Sequence, residues 1–203
     1  KWLSPWPVAE IVETDVHEPE ALHSLMSGVD AVINLVGILH DRDSREPFGR
    51  RFAEAHVELP RKIIAAMHQT GVRRLIHISA LRAAANAPSA YLRSKAAGEA
   101  VVLSEGEVLE VTIFRPSVIF GVNDVFLNTF AQLLKVFPIL PLGGGSARFQ
   151  PVFVGDVADI VTDALDNPET FGKTYELCGP KIYTLHELVD YTASQIGKRR
   201  IIV

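Results

Sequence analysis

Leu75-Ile76-His77-Ile78-Ser79 followed by Tyr91-Leu92-Arg93-Ser94-Lys95 decides how this chain is read. The first run is short and mostly apolar, as a buried strand requires. In the second, Tyr91 and Lys95 stand at i and i+4, which share one face of a helix. An ammonium beside a phenol favours the phenolate, so Lys95 is expected to lower the Tyr91 pKa. A phenol so tuned exchanges a proton with a hydroxyl or carbonyl near neutral pH. Ser79, at the strand's end, can hydrogen-bond the same oxygen. Alone, the Tyr-Lys spacing is weak evidence, because many helices carry a half-buried Tyr beside a solvated Lys. The elements around it carry the weight.

Upstream, Glu10 to Thr14 reads as a short strand ending at Asp15. A helix begins at Pro19 and stops at Gly28, with Leu22, Leu25 and Met26 as its buried face. Ala31 to Gly37 is a near-continuous apolar strand, as in a sheet covered on both faces. A polar loop, His40 to Glu46, leads to a helix over 48–70 that Gly71 ends. Pro60 inside it predicts a kink or break, since it removes a backbone donor. Downstream of the Tyr91 helix, which runs to about Glu105, Val111 to Arg115 is a strand closed by Pro116. Phe126 to Val136 is an amphipathic helix, and Gly143-Gly144-Gly145 a flexible loop. Phe149 to Val154 is strand-like, Val157 to Leu165 helical, and Thr174 to Cys178 a strand. Thr184 with Glu187 makes a capping-box pattern for a helix to about Ile196. Ile201-Ile202-Val203 starts one more strand. Strands alternating with crossover helices predict an α/β fold, a parallel sheet between helix layers. Ligands of such sheets bind at the carboxyl ends of the strands. Asp15, Gly37, Ser79 and Arg115-Pro116 all sit at such ends.

The 203 residues are 48% hydrophobic, enough for one domain with a sizeable core. The net charge of −4 offers no nucleic-acid surface. The short basic clusters Arg50-Arg51, Arg73-Arg74 and Lys198-Arg199-Arg200 read as solvated faces. The single cysteine, Cys178, excludes an internal disulfide and any Cys-rich zinc site, and its apolar neighbours predict a buried thiol in a reducing compartment. No metal site is expected. No apolar run has the length of a membrane-spanning helix. The stretch Lys1-Trp2-Leu3-Ser4-Pro5-Trp6-Pro7 is not a signal peptide and reads as an opened loop.

Strand-Ser followed by helix Tyr-x-x-x-Lys resembles the short-chain dehydrogenase/reductase superfamily, in its atypical or extended branch, over nearly the whole chain. That resemblance implies a Rossmann-like doubly wound parallel sheet and NADP or NAD as cofactor. Ser79, Tyr91 and Lys95 match the catalytic positions, and Lys95 also matches the residue that bonds the nicotinamide ribose. Asp15-Val16 is similar to the pair that contacts adenine. Leu35, Val36 and Gly37, in Asn34-Leu35-Val36-Gly37, match the segment lying along the cofactor. Pro116, Ser117 and Val118, in Arg115-Pro116-Ser117-Val118-Ile119-Phe120-Gly121, match the segment beside the nicotinamide. Gln150 to Ala158 is similar to the segment shaping the substrate side. His56-Val57, Pro60, Tyr91 to Ala96, Phe126-Leu127-Asn128 and Gln150-Pro151-Val152 together resemble the branch containing the 39 kDa accessory subunit of respiratory complex I. The respiratory member of that branch holds its nucleotide structurally, and others are associated with ubiquinone biosynthesis.

Two departures matter. His56 stands where many extended members carry the Asn that supports a proton relay: it replaces that Asn as a hydrogen-bonding group, or the relay is absent, or the histidine is simply packed or solvated. The glycine-rich turn that cradles a pyrophosphate is missing, and Gly143 to Gly145 has the wrong place and pattern for it. The expectation is a chain lacking the first strand-helix-strand unit, with residues 1–121 as an incomplete dinucleotide-binding core. Residues 122–203 then hold the remaining core elements and a small substrate-side region. More sequence is expected beyond Val203. The residue that separates NAD from NADP follows the second strand and is absent.

Two functions compete. In the first, an oxidoreductase exchanges hydride between NAD(P)(H) and a small carbonyl or alcohol, with Tyr91 as acid/base, Lys95 as modulator and ribose anchor, and Ser79 as oxygen stabiliser. In the second, the same residues hold the nucleotide without turnover, and the partner is a respiratory or quinone-synthesis complex. An epimerase is less favoured, since the loops show no sugar- or nucleotide-recognition set. A redox-sensing regulator is disfavoured because such members commonly lose the Tyr. The expected setting is a bacterial-type cytoplasm, peripheral to the inner membrane, or the mitochondrial matrix if eukaryotic.

Overall fold

A computed structural model describes residues 10–43 and 45–203; the opened-loop reading of residues 1–7 lies outside them. In chain order the elements are α1 (Pro19–Met26), β1 (Ala31–Asn34), α2 (Arg50–Ala53), a π-helical segment (Glu54–Glu58), α3 (Leu59–Thr70), β2 (Arg74–Ile78) and α4 (Ala90–Leu103). There follow β3 (Glu110–Pro116), β4 (Ile119–Phe120), α5 (Val125–Val136), β5 (Ile139–Leu140), β6 (Arg148–Phe149), β7 (Val152–Phe153) and α6 (Val154–Leu165). A 3-10 turn (Pro168–Thr170), β8 (Lys173–Leu177), β9 (Tyr183–Thr184), α7 (Leu185–Gln195) and β10 (Ile201–Ile202) complete the order.

β1-β2-β3-β8 form one four-stranded sheet, parallel throughout. Parallel strands need crossover connections, and α3, α4 and α6 supply them. The sheet is covered on both faces, which makes it a doubly wound, Rossmann-like fold. On one side α1, α3 and α4 bury Leu22, Met26, Ile63, Met67 and Val102 against Leu75 and Val111. On the other, α6 buries Val157, Val161 and Ala164 against Ile76, Phe114 and Leu177. The alternation of Leu75 and Ile76 between the two cores is the period-2 rule of a strand. A third cluster, Leu134, Leu140, Val189 and Ala193, holds α5 and α7 together beside the short β5–β10 pair.

Element starts and stops follow local chemistry. The Ser89 side chain accepts from Leu92 N–H at the head of α4, and Asp124 does the same for Leu127 on α5. Thr184 and Glu187 make a reciprocal capping box on α7. Gly28 and Gly71 take left-handed φ after α1 and α3, as a helix end needs.

The structure corrects several expectations. Glu10 to Thr14 is not a strand; no neighbouring strand among the described residues offers it a ladder, and Ile11 and Val12 are exposed. Among the described residues β1 is shorter than expected and stands at the edge of the sheet, with Ile33 exposed. Leu25 is exposed, leaving Leu22 and Met26 as the buried face of α1. Pro151, which has no N–H, splits the expected strand over 149–154 into the tail of β6 and a separate β7. Arg74 is buried rather than solvated, and Arg200 donates to the Leu134 carbonyl. Cys178 is half-buried, its thiol pushed up by burial and by Glu176.

Candidate functional site

The carboxyl ends of β1, β2 and β3 are held in one plane by the register of the sheet. Asn34 pairs with His77, and Ile78 with Phe114. Beyond the strands, Ser79 N–H donates to the Phe114 carbonyl at 2.7 Å and Leu81 N–H to the Pro116 carbonyl at 2.9 Å. Ser117 N–H reaches the Leu177 carbonyl at 2.8 Å, and Val118 accepts from Val152 N–H at 3.0 Å. Ser79 and the Pro116-Ser117-Val118 turn therefore share one edge.

Helix α4 lies across this edge. Lys95 is 4% exposed, and its Nζ donates to the Ile78 carbonyl at 2.7 Å, one peptide before Ser79. Ser79 Oγ is buried with no hydrogen-bond partner. A buried orphan hydroxyl is costly and marks a place where a ligand polar group fits. Tyr91 is half-buried, packed 6.2 Å from the Phe52 ring and edge-on to His56 at 5.7 Å. Gly37 closes the near side: a Cβ there would lie 3.5 Å from His56 Nε2 and 3.8 Å from Lys95 Nζ. Leu35, Val36 and Gly37 form an exposed shelf at the end of β1, with Leu35 70% open.

Of the residues singled out from sequence, Ser79, Lys95 and Gly37 converge, with Tyr91 beside them on the same helix and Pro116 to Val118 along the edge. Asp15 and Val16, read as the adenine pair, lie in the turn before α1. Asp15 accepts from His17 N–H in a turn, and Val16 packs on the α1–α3 core. The expected tuning of Tyr91 is also absent. No hydrogen bond joins Tyr91 to Lys95 or Ser79 among the described residues, and burial raises its pKa above the ordinary phenol value. Burial pushes Lys95 down to about 8, against the pull of Glu99, so it remains a cation at neutral pH. His56 is pushed down to about 4 and His77 to about 3, by burial first and by the Lys95 charge second. Three nitrogen bases cluster here, and only one carries a proton charge at pH 7.

Several contributors are not evident from the motif. Glu99 is buried and holds Arg115 in a two-pronged pair, at 2.8 Å to Nε and 2.6 Å to Nη2, fixing α4 to β3. Its place at i+4 from Lys95 was the only hint. Asn34 Nδ2 meets His77 Nδ1 at 3.1 Å while its Oδ1 accepts from Val36 N–H, which orients the shelf. Arg93 donates to the carbonyls of Pro47 at 2.7 Å and of Ala87 and Pro88 at 3.0 Å. It thereby joins the loop after β1 to the loop after β2, a role no pattern around it signals.

These features fit the nicotinamide-ribose half of a dinucleotide. Lys95 uses one of its three donors on Ile78, leaving two without a partner among the described residues. The shelf at the end of β1 offers apolar contact. No glycine-rich phosphate turn stands among the described residues.

Residues 3–178 match the NAD dependent epimerase/dehydratase family. The chain is 38% identical over 178 residues to the mitochondrial NADH dehydrogenase [ubiquinone] 1 alpha subcomplex subunit 9 of Arabidopsis thaliana, covering 87% of this chain and 43% of that protein. It spans about half the length of the curated relatives it matches. In shape it is similar to RMD from Pseudomonas aeruginosa complexed with NADPH, with a TM-score of 0.78, 20% identity and coverage of 95% of this chain and 73% of that one. It is also similar to the UDP-glucose 4-epimerase of Thermus thermophilus in complex with NAD, with a TM-score of 0.73, 20% identity and coverage of 94% and 70%. These two likenesses concern the fold.

Proposed function

The chain belongs to the NAD dependent epimerase/dehydratase family, and from that premise we propose that it is part of an NAD(P)(H)-binding oxidoreductase of the short-chain dehydrogenase/reductase type. The observation that carries the reading is the burial of Lys95 against the Ile78 carbonyl, beside the unpartnered Ser79 hydroxyl. Lys95, Leu35 to Gly37 and Pro116 to Val118 hold the nicotinamide end. Bound there, the nicotinamide supplies or accepts a hydride at carbon. Ser79 Oγ donates to the substrate oxygen. Tyr91 starts protonated, because burial holds its pKa up, and so gives its proton to a carbonyl oxygen becoming an alcohol. Oxidation runs the transfer backwards. The substrate class is a small carbonyl or alcohol.

A second reading is favoured by the respiratory-complex name of the curated relatives and by the unlinked Tyr91. In it the same residues hold the nucleotide without turnover and the protein serves in a respiratory or quinone-synthesis assembly. No helix among the described residues is long and apolar enough to cross a membrane. The matrix, or the bacterial cytoplasm beside the inner membrane, suits either reading.

Nicotinamide fluorescence with a carbonyl and quinone panel, on the full-length protein, separates the two. Tyr91→Phe lowers turnover by about 10²-fold or more and leaves nucleotide affinity within about twofold. Lys95→Ala weakens both. Turnover unchanged in Tyr91→Phe would remove the acid/base role, and bound nucleotide that no panel member oxidises favours the assembly reading.

A further inference from the structure

His56 sits in the π-helical segment and is 1% exposed. Its ring stacks on Phe52 at 5.4 Å and meets the Tyr91 ring edge-on. Both nitrogens are committed. Nε2 is 3.1 Å from the Ile38 backbone N–H, which can only donate, so Nε2 carries no proton. Nδ1 is 2.8 Å from Ser94 Oγ. Ser94 Oγ already gives its one hydrogen to the Tyr91 carbonyl at 2.7 Å, so Nδ1 is the donor. Two separate partners thus select the same tautomer, by heavy-atom geometry rather than by sight of a hydrogen.

We propose that His56 is a positioning residue: as its Nδ1–H tautomer it ties the peptide after the Leu35-Val36-Gly37 shelf to the helix bearing Tyr91 and Lys95. The tie runs from Ile38 N–H through the imidazole to Ser94, and Ser94 lies between Tyr91 and Lys95 in sequence. It sets the gap between Gly37 and the Lys95 ammonium, where a Cβ on Gly37 would lie 3.5 Å from Nε2 and 3.8 Å from Nζ. With no free lone pair and no free N–H, the ring passes no proton in this arrangement. The charged and titratable groups packed around it agree. Lys95 and Tyr91 face it from α4 and His77 from β2, and the Lys95 cation opposes a second proton on the ring. A relay through this position, which a histidine there invites, is closed.

The functional consequence rests on the reading of Lys95 as the nucleotide anchor, whereas the tautomer does not. The first measurement is therefore ¹⁵N NMR of histidine in the full-length protein between pH 5.5 and 8. Expected is a protonated-type Nδ1 and an unprotonated-type Nε2 for His56, constant across that range. An Nε2–H tautomer, or titration near pH 6.5, overturns the proposal. The second compares His56→Phe, which keeps the ring stack, with His56→Gln, whose side-chain oxygen can accept from Ile38. The Phe variant weakens NAD(P)H binding about tenfold, as for a stranded buried donor, and Gln restores most of it. In both, the pH profile of any turnover keeps its shape. Lower kcat with unchanged affinity, or a shifted profile in the Phe variant, overturns the proposal in favour of a relay. Wild-type protein that binds no nucleotide refutes the cofactor reading, and the NMR result still decides the tautomer.

Discussion

Arg74 carries more of this fold than its sequence neighbourhood suggests. It is 5% exposed, and its guanidinium donates to the carbonyls of Leu165 at 2.9 Å, Glu110 at 2.6 Å and Ala164 at 2.5 Å. It also reaches Thr112 Oγ1 at 2.9 Å and lies 4.5 Å over the Phe171 ring. A cation at the last carbonyls of α6 satisfies groups that no helical N–H can reach and opposes the helix dipole favourably. Arg74→Ala takes the guanidinium from these acceptors, of which the Ala164 carbonyl keeps only a 3.4 Å contact from Thr170 Oγ1. The expected loss is about 3 kcal/mol, read as a lower urea midpoint with unchanged m. Arg74→Lys recovers little, because a point ammonium cannot serve so many acceptors at once. Arg73→Ala should stay within about 0.5 kcal/mol, since its ion pair with Glu110 is exposed. A loss of that size for Arg74→Ala as well would show that the network adds nothing. Adjacent arginines look alike in sequence. Only strand parity and the arrival of a distant helix end, 90 residues on, separate them.

At the scale of elements, the contact of α4 with the π-helical segment decides where the site sits. Pro60 has no N–H to give the carbonyl four residues back, which is that of His56, and the helix widens into the π segment just before it. Gly98 of α4 packs onto that same carbonyl: a Cβ there would overlap the His56 oxygen. Alanine normally stabilises a helix interior over glycine by about 1 kcal/mol. Here the clash with rigid backbone reverses the sign. Gly98→Ala should cost about 1–3 kcal/mol and move Tyr91 and Lys95 off the sheet edge. Thermal unfolding together with nucleotide affinity checks this, and a stabilised variant would show that the helices have slack. The break at Pro60 was legible in the sequence, as were the caps at Gly71 and Thr184, because each is a local rule. The use of the break by Gly98 was not, since it joins residues far apart in the chain. Glu10 to Thr14 failed for the converse reason: its β-like pattern is local, but a strand exists only beside another strand.

For the molecule as a whole, the buried histidines set its response to acid. His56 and His77 lie beneath the shelf with folded pKa values near 4 and 3, against 6.5 when unfolded. Above about pH 6.5 neither state binds these protons and their contribution is complete. Below it the unfolded chain takes up two protons that the fold refuses. Stability therefore falls as pH drops from 6.5 towards 4, by up to about 1.4 kcal/mol per pH unit for each histidine. Asp41 and Asp43 are held below the ordinary carboxylate range by backbone N–H groups and Arg45, so what they contribute is lost only at lower pH. The window from pH 6 to 4.5 thus reports chiefly on the histidines. His77→Phe keeps a buried ring of similar size and removes one titration. It leaves Asn34 without its acceptor and at the same time removes the buried, unpartnered His77 Nε2, two opposing effects on stability at pH 7. Its stability should nonetheless fall about half as steeply with acid as that of the wild type. Urea midpoints at a series of pH values from 7.5 to 4.5 measure both slopes. Equal slopes would mean that His77 is charged in the folded state, and a charge there would have to be matched by a counter-ion that the Asn34–His77–Lys95 cluster does not contain.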